Sequence, residues 1–314
     1  MEVLPSNPRL AIIGAGAVGG YYGSRLAQAG LDVHFLLRSD LEAVRAQGLH
    51  IRSVQGDFHL PAPQIHATTS EIGPCDVVII ALKSTANAAL PGLIHPLLHA
   101  DTKLLTLQNG LGNEEFLADH FGPERVIGGL CYVCINRTAP GVINHSAQGL
   151  VIIGDPQGPP RPVTRALASL LASAGVDCQV SDCLPRSRWL KLTWNIAFNG
   201  LAIAAGGVDT SIIMNDSWLR QQAAAIMEEV RQAAAACGHP LPASLVDEHL
   251  ATTAQIGPYR PSSLIDYMEG RDVEVDSIWA QPLQRARAAG AVLPRLEMLH
   301  ALISSAVARR RADR

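Results

Sequence analysis

Several absences narrow the reading of this 314-residue sequence before any motif is considered. No run approaches the roughly 18 apolar residues of a membrane span, so no membrane partner is expected. The start, Met1-Glu2-Val3-Leu4-Pro5, has neither the basic beginning nor the apolar stretch of a signal peptide, so a cytoplasmic location is expected. The net charge is only −3, and no Lys/Arg stripe interleaved with aromatics offers a footprint for nucleic acid. The one basic cluster, Arg309-Arg310-Arg311, reads as a solvated helix end whose cations complement the dipole. Charged residues are few at 17% while apolar ones reach 48%, a balance that excludes a disordered chain. The CxxC at Cys131-Tyr132-Val133-Cys134 has no second pair and lies in a strand-like run. The six cysteines therefore read as small buried thiols rather than a zinc or redox site. His95 and His99 have Pro96 between them and no glutamate after His95, so no metal is expected.

What is present divides the chain in two, and its length allows two domains. Arg9-Leu10-Ala11-Ile12-Ile13 is an apolar run followed by Gly14-Ala15-Gly16-Ala17-Val18-Gly19, a helical pattern ending at Gly30, and a second run from Asp32 to Arg38. Asp76–Leu82 and Lys103–Leu107 are further continuous apolar runs of the kind that fill a parallel sheet. Short β-rich pieces between 125 and 153, a helix over Arg161–Ala174 and a last strand over Val176–Val180 complete this part. From Leu184 to Ala308 the pattern is helical, broken at Gly206-Gly207, Gly238-His239-Pro240 and Gly257-Pro258. The expectation is an α/β domain with a Rossmann-type doubly wound sheet over 1–181, and an all-helical domain over 182–314.

The glycine motif has a strand before it and a helix after it, the context a dinucleotide turn requires. Its first glycine (Gly14) permits the tight turn, Gly16 lets backbone approach the pyrophosphate, and Gly19 lets helix and strand pack closely. The helix N-terminus with Ala15, Ala17 and Val18 then offers free N–H groups and a positive dipole end to the phosphates. The second strand ends in Leu36-Leu37-Arg38-Ser39, without the acid that an NAD-selective site places against the ribose. Arg38 suits a 2′-phosphate instead, which favours NADP(H), although a surface loop arginine would read the same way. Lys83 and Asn109 follow the Asp76–Leu82 and Lys103–Leu107 runs, at the carboxyl ends where such sheets bind ligands. Either could equally be an ordinary loop residue.

The helical part carries its own anomaly. Lys191, Asn195 and Asn199 recur every four residues in a segment otherwise dominated by Trp, Leu, Ile, Phe and Ala. On a helix they stack about 6 Å apart along one stripe. Polar groups in such surroundings need partners or a task, because burying them unpaired costs several kcal/mol.

With these residues in view the chain resembles the ketopantoate reductase (2-dehydropantoate 2-reductase) family. The resemblance is carried by Gly14–Gly19, Leu37-Arg38, Ala81-Leu82-Lys83, Gln108-Asn109-Gly110-Leu111-Gly112 and Trp189-Leu190-Lys191-Leu192 with Asn195 and Asn199. It continues through Pro261-Ser262-Ser263-Leu264-Ile265-Asp266 and Gly270-Arg271-Asp272-Val273-Glu274-Val275-Asp276. It implies NADPH-dependent reduction of 2-dehydropantoate to (R)-pantoate on the route to pantothenate and coenzyme A. It also implies a C-terminal domain like that of 6-phosphogluconate dehydrogenase; the sequence leaves a monomer and a homodimer both open.

By resemblance, Lys191 is the catalytic lysine and Glu274 the acid near the lysine and cofactor. Asn109 lies between nicotinamide and substrate, Asn195, Asn199 and Ser262 bind substrate, and Lys83 touches the cofactor. Physical logic agrees: an alkoxide forming at a reduced ketone needs a donor, and a lysine ammonium can stabilise and protonate it. A carboxylate such as Glu274 would keep that ammonium charged against the effect of burial. The alternative for this pair is a structural ion pair between helices.

Four positions depart from the family pattern. Asp209 falls where a further substrate asparagine is usual, Gly200 replaces a proline, and Trp279-Ala280 replace Asn-Gly. These departures are expected to narrow or recolour the pocket. They leave open a paralogous reductase of another small 2-oxo acid or carbonyl compound. A non-catalytic NADP-binding protein is disfavoured because Lys191 and Glu274 are both retained.

Overall fold

The computed structural model describes residues 4–312 and divides into two compact units. One holds the chain up to Gln108 together with Asn113–Leu184; the other holds Asn109–Gly112 and everything from Pro185 onward. Four residues at a strand end thus belong to the helical unit although the sequence on both sides belongs to the sheet.

The first unit is a ten-stranded sheet built from β1 (Arg9–Ile13), β2 (Asp32–Leu36), β3 (Leu49–Ser53), β4 (Phe58–Leu60), β5 (Gln64–His66), β6 (Val77–Ile80), β7 (Lys103–Thr106), β8 (Val126–Ala139), β9 (Val142–Gly154) and β10 (Cys178–Val180). The order is β4-β3-β9-β8-β7-β6-β1-β2-β5, with β10 beside β9. From β5 through β8 the neighbours are parallel, whereas β8 and β9 form a long antiparallel hairpin. The short pieces expected over 125–153 are therefore two strands of 14 and 13 residues. Their pairing is irregular near Val133, Ile135 and Ala139, which breaks the alternation that would have made the strands visible.

The helices α1 (Ala17–Gln28), α2 (Leu41–Gln47), α3 (Thr69–Ile72), α4 (Leu90–Ile94), α5 (Asn113–Phe121) and α6 (Pro162–Ser173) cover both faces of this sheet. Leu10 and Ile12 of β1 pack into one core with Tyr21, Tyr22 and Leu26, while Ala11 and Ile13 pack into another with Leu90, Ile94 and Leu117. Burial on both faces explains why the central strands read as unbroken apolar runs. Ile13, Ile80 and Thr106 stand side by side across β1, β6 and β7, so the three carboxyl ends are level. β2 leaves β1 to one side and β6 to the other, making this level edge the topological switch point.

The second unit contains α7 (Leu184–Ala204), α8 (Thr210–Asn215), α9 (Ser217–Ala236), α10 (Leu245–Ile256), α11 (Ser262–Met268), α12 (Gln281–Ala288) and α13 (Pro294–Ala312), with a π-helical turn over Asp276–Ala280. Its core joins Trp189, Ile196, Phe198 and Trp279 with Ile226, Met227, Leu296 and Ile303. The expected breaks at Gly206-Gly207, Gly238 and Gly257 follow the ends of α7, α9 and α10. Arg309-Arg310-Arg311 does end a helix, but it is not simply solvated. Arg310 donates to the Met268 carbonyl at 2.6 Å and stacks over Tyr267, and Arg311 meets Asp272 at 2.8 Å. No helix among the described residues is long and apolar enough to cross a membrane.

Candidate active site

The glycine turn shows in its steric detail what it is built for. Gly14 has φ +95°, and a Cβ there would stand 2.4 Å from the Leu82 backbone nitrogen. The turn after β1 is thus pressed against the chain leaving β6, and only glycine fits the backbone and the space. A Cβ on Gly19 would meet the Gly14 carbonyl oxygen at 2.4 Å and Ala81 at 3.0 Å, so the start of α1 must also be bare. Gly16 is the opposite case, because a Cβ there meets nothing within 4 Å. No side chain caps the first N–H groups of α1 and no acid occupies its first turn. Open space before uncapped N–H groups at a positive dipole end fits a pyrophosphate. Ala15, Ala17 and Val18 lie partly accessible around it, and Lys83 follows the β6 end that Gly14 abuts.

At the end of β2, Arg38 is exposed and makes no hydrogen bond or ion pair among the described residues. The nearest acid in sequence, Asp40, is turned inward and buried. Its Oδ1 accepts from Arg137 on β8 and from the Ser39 hydroxyl at 2.8 Å; its Oδ2 accepts the Gly141 N–H at 3.1 Å.

In the helical unit α7 presents its polar stripe as the sequence spacing requires. Pro185 enters at its start, where a missing N–H costs nothing. Trp194 donates to the Thr253 hydroxyl at 2.9 Å and stacks on Phe198, and Trp279 donates to the Ile196 carbonyl at 3.1 Å. These anchors fix the rotation of the helix about its axis. The chain has three lysines in all, Lys83, Lys103 and Lys191. Lys191 is half-buried, and its Nζ donates to Asn109 Oδ1 at 2.6 Å.

Two networks flank Asn109 along the chain, one in each unit. Within the sheet unit, Gln108 donates to Asn87 Oδ1 at 2.8 Å, Asn87 donates to Asn113 Oδ1 at 3.0 Å, and Thr106 donates to Gln108 Oε1 at 3.0 Å. Within the helical unit the Leu111 N–H donates to the Ser277 carbonyl at 2.9 Å. A Cβ on Gly110 would lie 2.3 Å from that carbonyl oxygen, so the segment lies flat against the π-helical turn. Such turns recur at functional sites. Glu274 is buried just ahead of this turn. Neither the Gln108–Asn87–Asn113 brace nor the Ser277 contact carried a sequence signal beyond the Gln-Asn-Gly run itself.

The other candidate ligands separate into two kinds. Asn195, one turn from Lys191, is half-buried and its carboxamide has no partner among the described residues. Ser262 is exposed at the first position of α11, and its hydroxyl also has no partner among the described residues. Asn199 is committed to the protein: it donates to the Asn195 carbonyl at 3.0 Å and accepts the Ser263 N–H at 2.9 Å, tying α11 to α7. Asp209 caps α8, accepting from Ser211 N–H at 2.9 Å, the Ser211 hydroxyl at 2.6 Å and Ile212 N–H at 3.2 Å. The Ser211 hydroxyl and these two N–H groups hold its carboxyl below the usual range.

The two other family departures do not recolour a pocket as expected. Trp279 is fully buried in the core, and a Cβ on Gly200 would stand 2.6 Å from Leu299, so both serve helix packing. The thiols also differ from expectation, since only Cys75 and Cys131 are buried and the other four are half-buried. Cys131 and Cys134 stand three residues apart on β8, about 10 Å along an extended strand, too far for a disulfide.

Family models for ketopantoate reductase PanE/ApbA match residues 10–158, and for its C-terminal part residues 184–306. The chain belongs to the ketopantoate reductase family. A curated 2-dehydropantoate 2-reductase from Nostoc sp. is 38% identical over 93% of this chain and 93% of its own length. The solved 2-dehydropantoate 2-reductase of Geobacter metallireducens superposes with a TM-score of 0.92 at 44% identity, covering 95% of this chain and 99% of that one. The corresponding structure from Methylococcus capsulatus gives 0.87 at 33% identity, covering 96% and 97%. As a ketopantoate reductase family member the protein is an oxidoreductase, and the Lys191–Asn109 pair and the bare glycine turn are then the parts of the molecule to read chemically.

Proposed function

We propose that this protein reduces 2-dehydropantoate to (R)-pantoate with NADPH, in pantothenate and coenzyme A biosynthesis. The observation that carries the reading is the 2.6 Å bond from Lys191 Nζ, on the polar stripe of α7, to Asn109 Oδ1, in a chain of this family. When bound, the reduced nicotinamide supplies a hydride to the ketone carbon. The Rossmann turn Gly14–Gly19 would hold its pyrophosphate, with Lys83 and Arg38 as further contacts. Exposed Arg38, and an Asp40 whose carboxylate is already occupied, support the phosphorylated nucleotide.

Lys191 does the work at the substrate oxygen. Its ammonium donates to the ketone, stabilises the negative charge that develops as the carbon is reduced, and gives up one proton to leave the hydroxyl. An ammonium has three donors, and the Asn109 bond orients one of them. Asn195 and Ser262 supply uncommitted carboxamide and hydroxyl groups for a small polar 2-oxo acid. Glu274 is assigned to keeping the lysine charged. Asn199 acts one step removed, holding the Ser262 turn to α7. Asp209 is left out of the substrate set because its carboxylate caps α8. A cytoplasmic enzyme, monomeric or homodimeric, fits a small charged substrate and cofactor.

The test is NADPH consumption with 2-dehydropantoate set against a panel of other 2-oxo acids. The reading expects kcat/KM to be highest for 2-dehydropantoate. Absent turnover, or turnover no better than with the other acids, rejects it in favour of a paralogous reductase.

A further inference from the structure

We propose that Arg137, near the tip of the β8–β9 hairpin, is a second determinant of NADP(H) selectivity: it neutralises Asp40 and so lets Arg38 and Ser39 receive a 2′-phosphate. The inference rests on the NADP(H) reading above and adds to it a residue from a different part of the chain.

The argument begins with the acid. A carboxylate at the end of the second strand is the group by which an NAD-selective site binds the ribose hydroxyls. This chain does carry one two residues beyond Arg38, but Asp40 faces inward and both its oxygens are engaged. Burial alone would raise the Asp40 carboxyl. The bonds from Arg137, the Gly141 N–H and Ser39 outweigh it and hold the group below its usual range, so it stays ionised. An ionised acid this near the site would repel a phosphate dianion or capture Arg38, unless another cation compensates it. Arg137 is that cation.

Its placement is built into the fold. β3 pairs with β9 through Ile51 and Ile143, which brings the hairpin tip to the β2–α2 turn. A Cβ on Gly141 would stand 3.0 Å from the Gly48 carbonyl oxygen and 3.2 Å from Val44, so the tip is seated against the end of α2. The Gly141 N–H then completes the Asp40 cage. Arg137 uses Nη1 for Asp40 and lies 3.4 Å from the Ser39 hydroxyl through the same nitrogen. Its Nε and Nη2 make no bond among the described residues, and the side chain is 40% exposed. A guanidinium with one edge on a carboxylate and the other toward solvent can also offer donors to phosphate oxygens.

The test is calorimetric titration of the full chain with NADP+ and with NAD+, for wild type, Arg137→Ala, Arg137→Lys and the double variant Arg137→Ala/Asp40→Asn. Wild type is expected to prefer NADP+. Arg137→Ala is expected to weaken NADP+ binding on the order of tenfold while leaving NAD+ within about twofold, a selectivity change that a merely structural role would not produce. Arg137→Lys keeps the charge without the fork and should fall between, which also serves should the alanine variant fail to fold. Removing the Asp40 charge in the double variant should recover part of the NADP+ affinity. If wild type prefers NADP+ but the Arg137 variants lose both nucleotides equally, or neither, this inference is overturned while the NADP(H) reading stands. If wild type shows no preference, both fall together.

Discussion

The nucleotide turn and the lysine site sit at opposite extremes of locality. The turn is six consecutive residues, Gly14 to Gly19; Gly14 and Gly19 have their steric reasons within about one turn of chain or on the neighbouring strand, and Gly16 faces open space. The lysine site assembles Asn109, Lys191 and the Ser277 carbonyl from positions up to 168 residues apart, of which only the lysine lies on a regular α-helix. The first is a property of backbone geometry and tolerates no Cβ at Gly14 or Gly19. The second is a property of groups held by other groups, and depends on braces such as the bond from Trp279 to the α7 backbone and the bond to Asn199 from the α11 backbone. A dinucleotide turn can therefore be carried intact between proteins, whereas a lysine site has to be assembled by a whole domain.

Substitutions can break this contrast, and the largest effect is expected at the lysine. Lys191→Ala should lower kcat by ~100-fold or more, the usual range for loss of an acid-base group, with nucleotide affinity unchanged in a binding titration. Nearly full turnover would remove the lysine from the mechanism. Next come two alanines that separate folding from binding within the turn. Gly14→Ala places a Cβ 2.4 Å from backbone at positive φ, so melting temperature and nucleotide binding should both fall. Gly16→Ala meets no protein atom within 4 Å, so its melting curve should match wild type while NADP(H) binding weakens on the order of tenfold. If both alanines behave alike, the steric account of the motif is wrong.

A smaller effect is expected where a candidate ligand proves to be a cap. Asp209→Ala should cost about 1 kcal/mol in denaturant unfolding, a typical cap loss, with kcat/KM little changed. A large fall in kcat/KM without loss of stability would return Asp209 to the substrate site.

The smallest effect concerns pH, and it belongs to the sheet unit. His34 on β2 lies 2.9 Å from His66 on β5, and burial, with the Arg9 cation, pushes both below the ordinary imidazole range. A depressed folded value means the unfolded chain takes up protons first as pH falls. Their contribution to stability is thus present above the ordinary histidine value near 6.5 and lost as pH drops through the folded values. Melting temperature should decline between pH 7 and pH 5, and His34→Gln should flatten the decline. An unchanged slope in that variant would show that other groups set it.

Much of the fold was legible because its signals are local. β1 appears at its expected residues, and the helix breaks after Ala204, Ala236 and Ile256 carry their glycines in the sequence. The hairpin of β8 and β9 was not, since its bulges interrupt the period of two. At the site, the Lys191–Asn195–Asn199 spacing showed a stripe but could not show which member faces inward. Asn199 turned out to be a brace because Ser263 offers it an N–H, a contact made across 64 residues. Asp209, Gly200 and Trp279 looked like changes to a pocket, yet their neighbours make them a cap and two packing contacts.

Local signals along the chain were enough for the glycine turn, the parallel core strands and the polar stripe of α7, because chain geometry and hydrophobic period act over a few residues. Tertiary packing puts the four residues from Asn109 to Gly112 in the helical unit, where they meet Lys191 and Ser277. It alone decided that Asp40 is caged by Arg137 from a distant hairpin. Such contacts depend on which surfaces come together when cores are buried, and no local period encodes that choice.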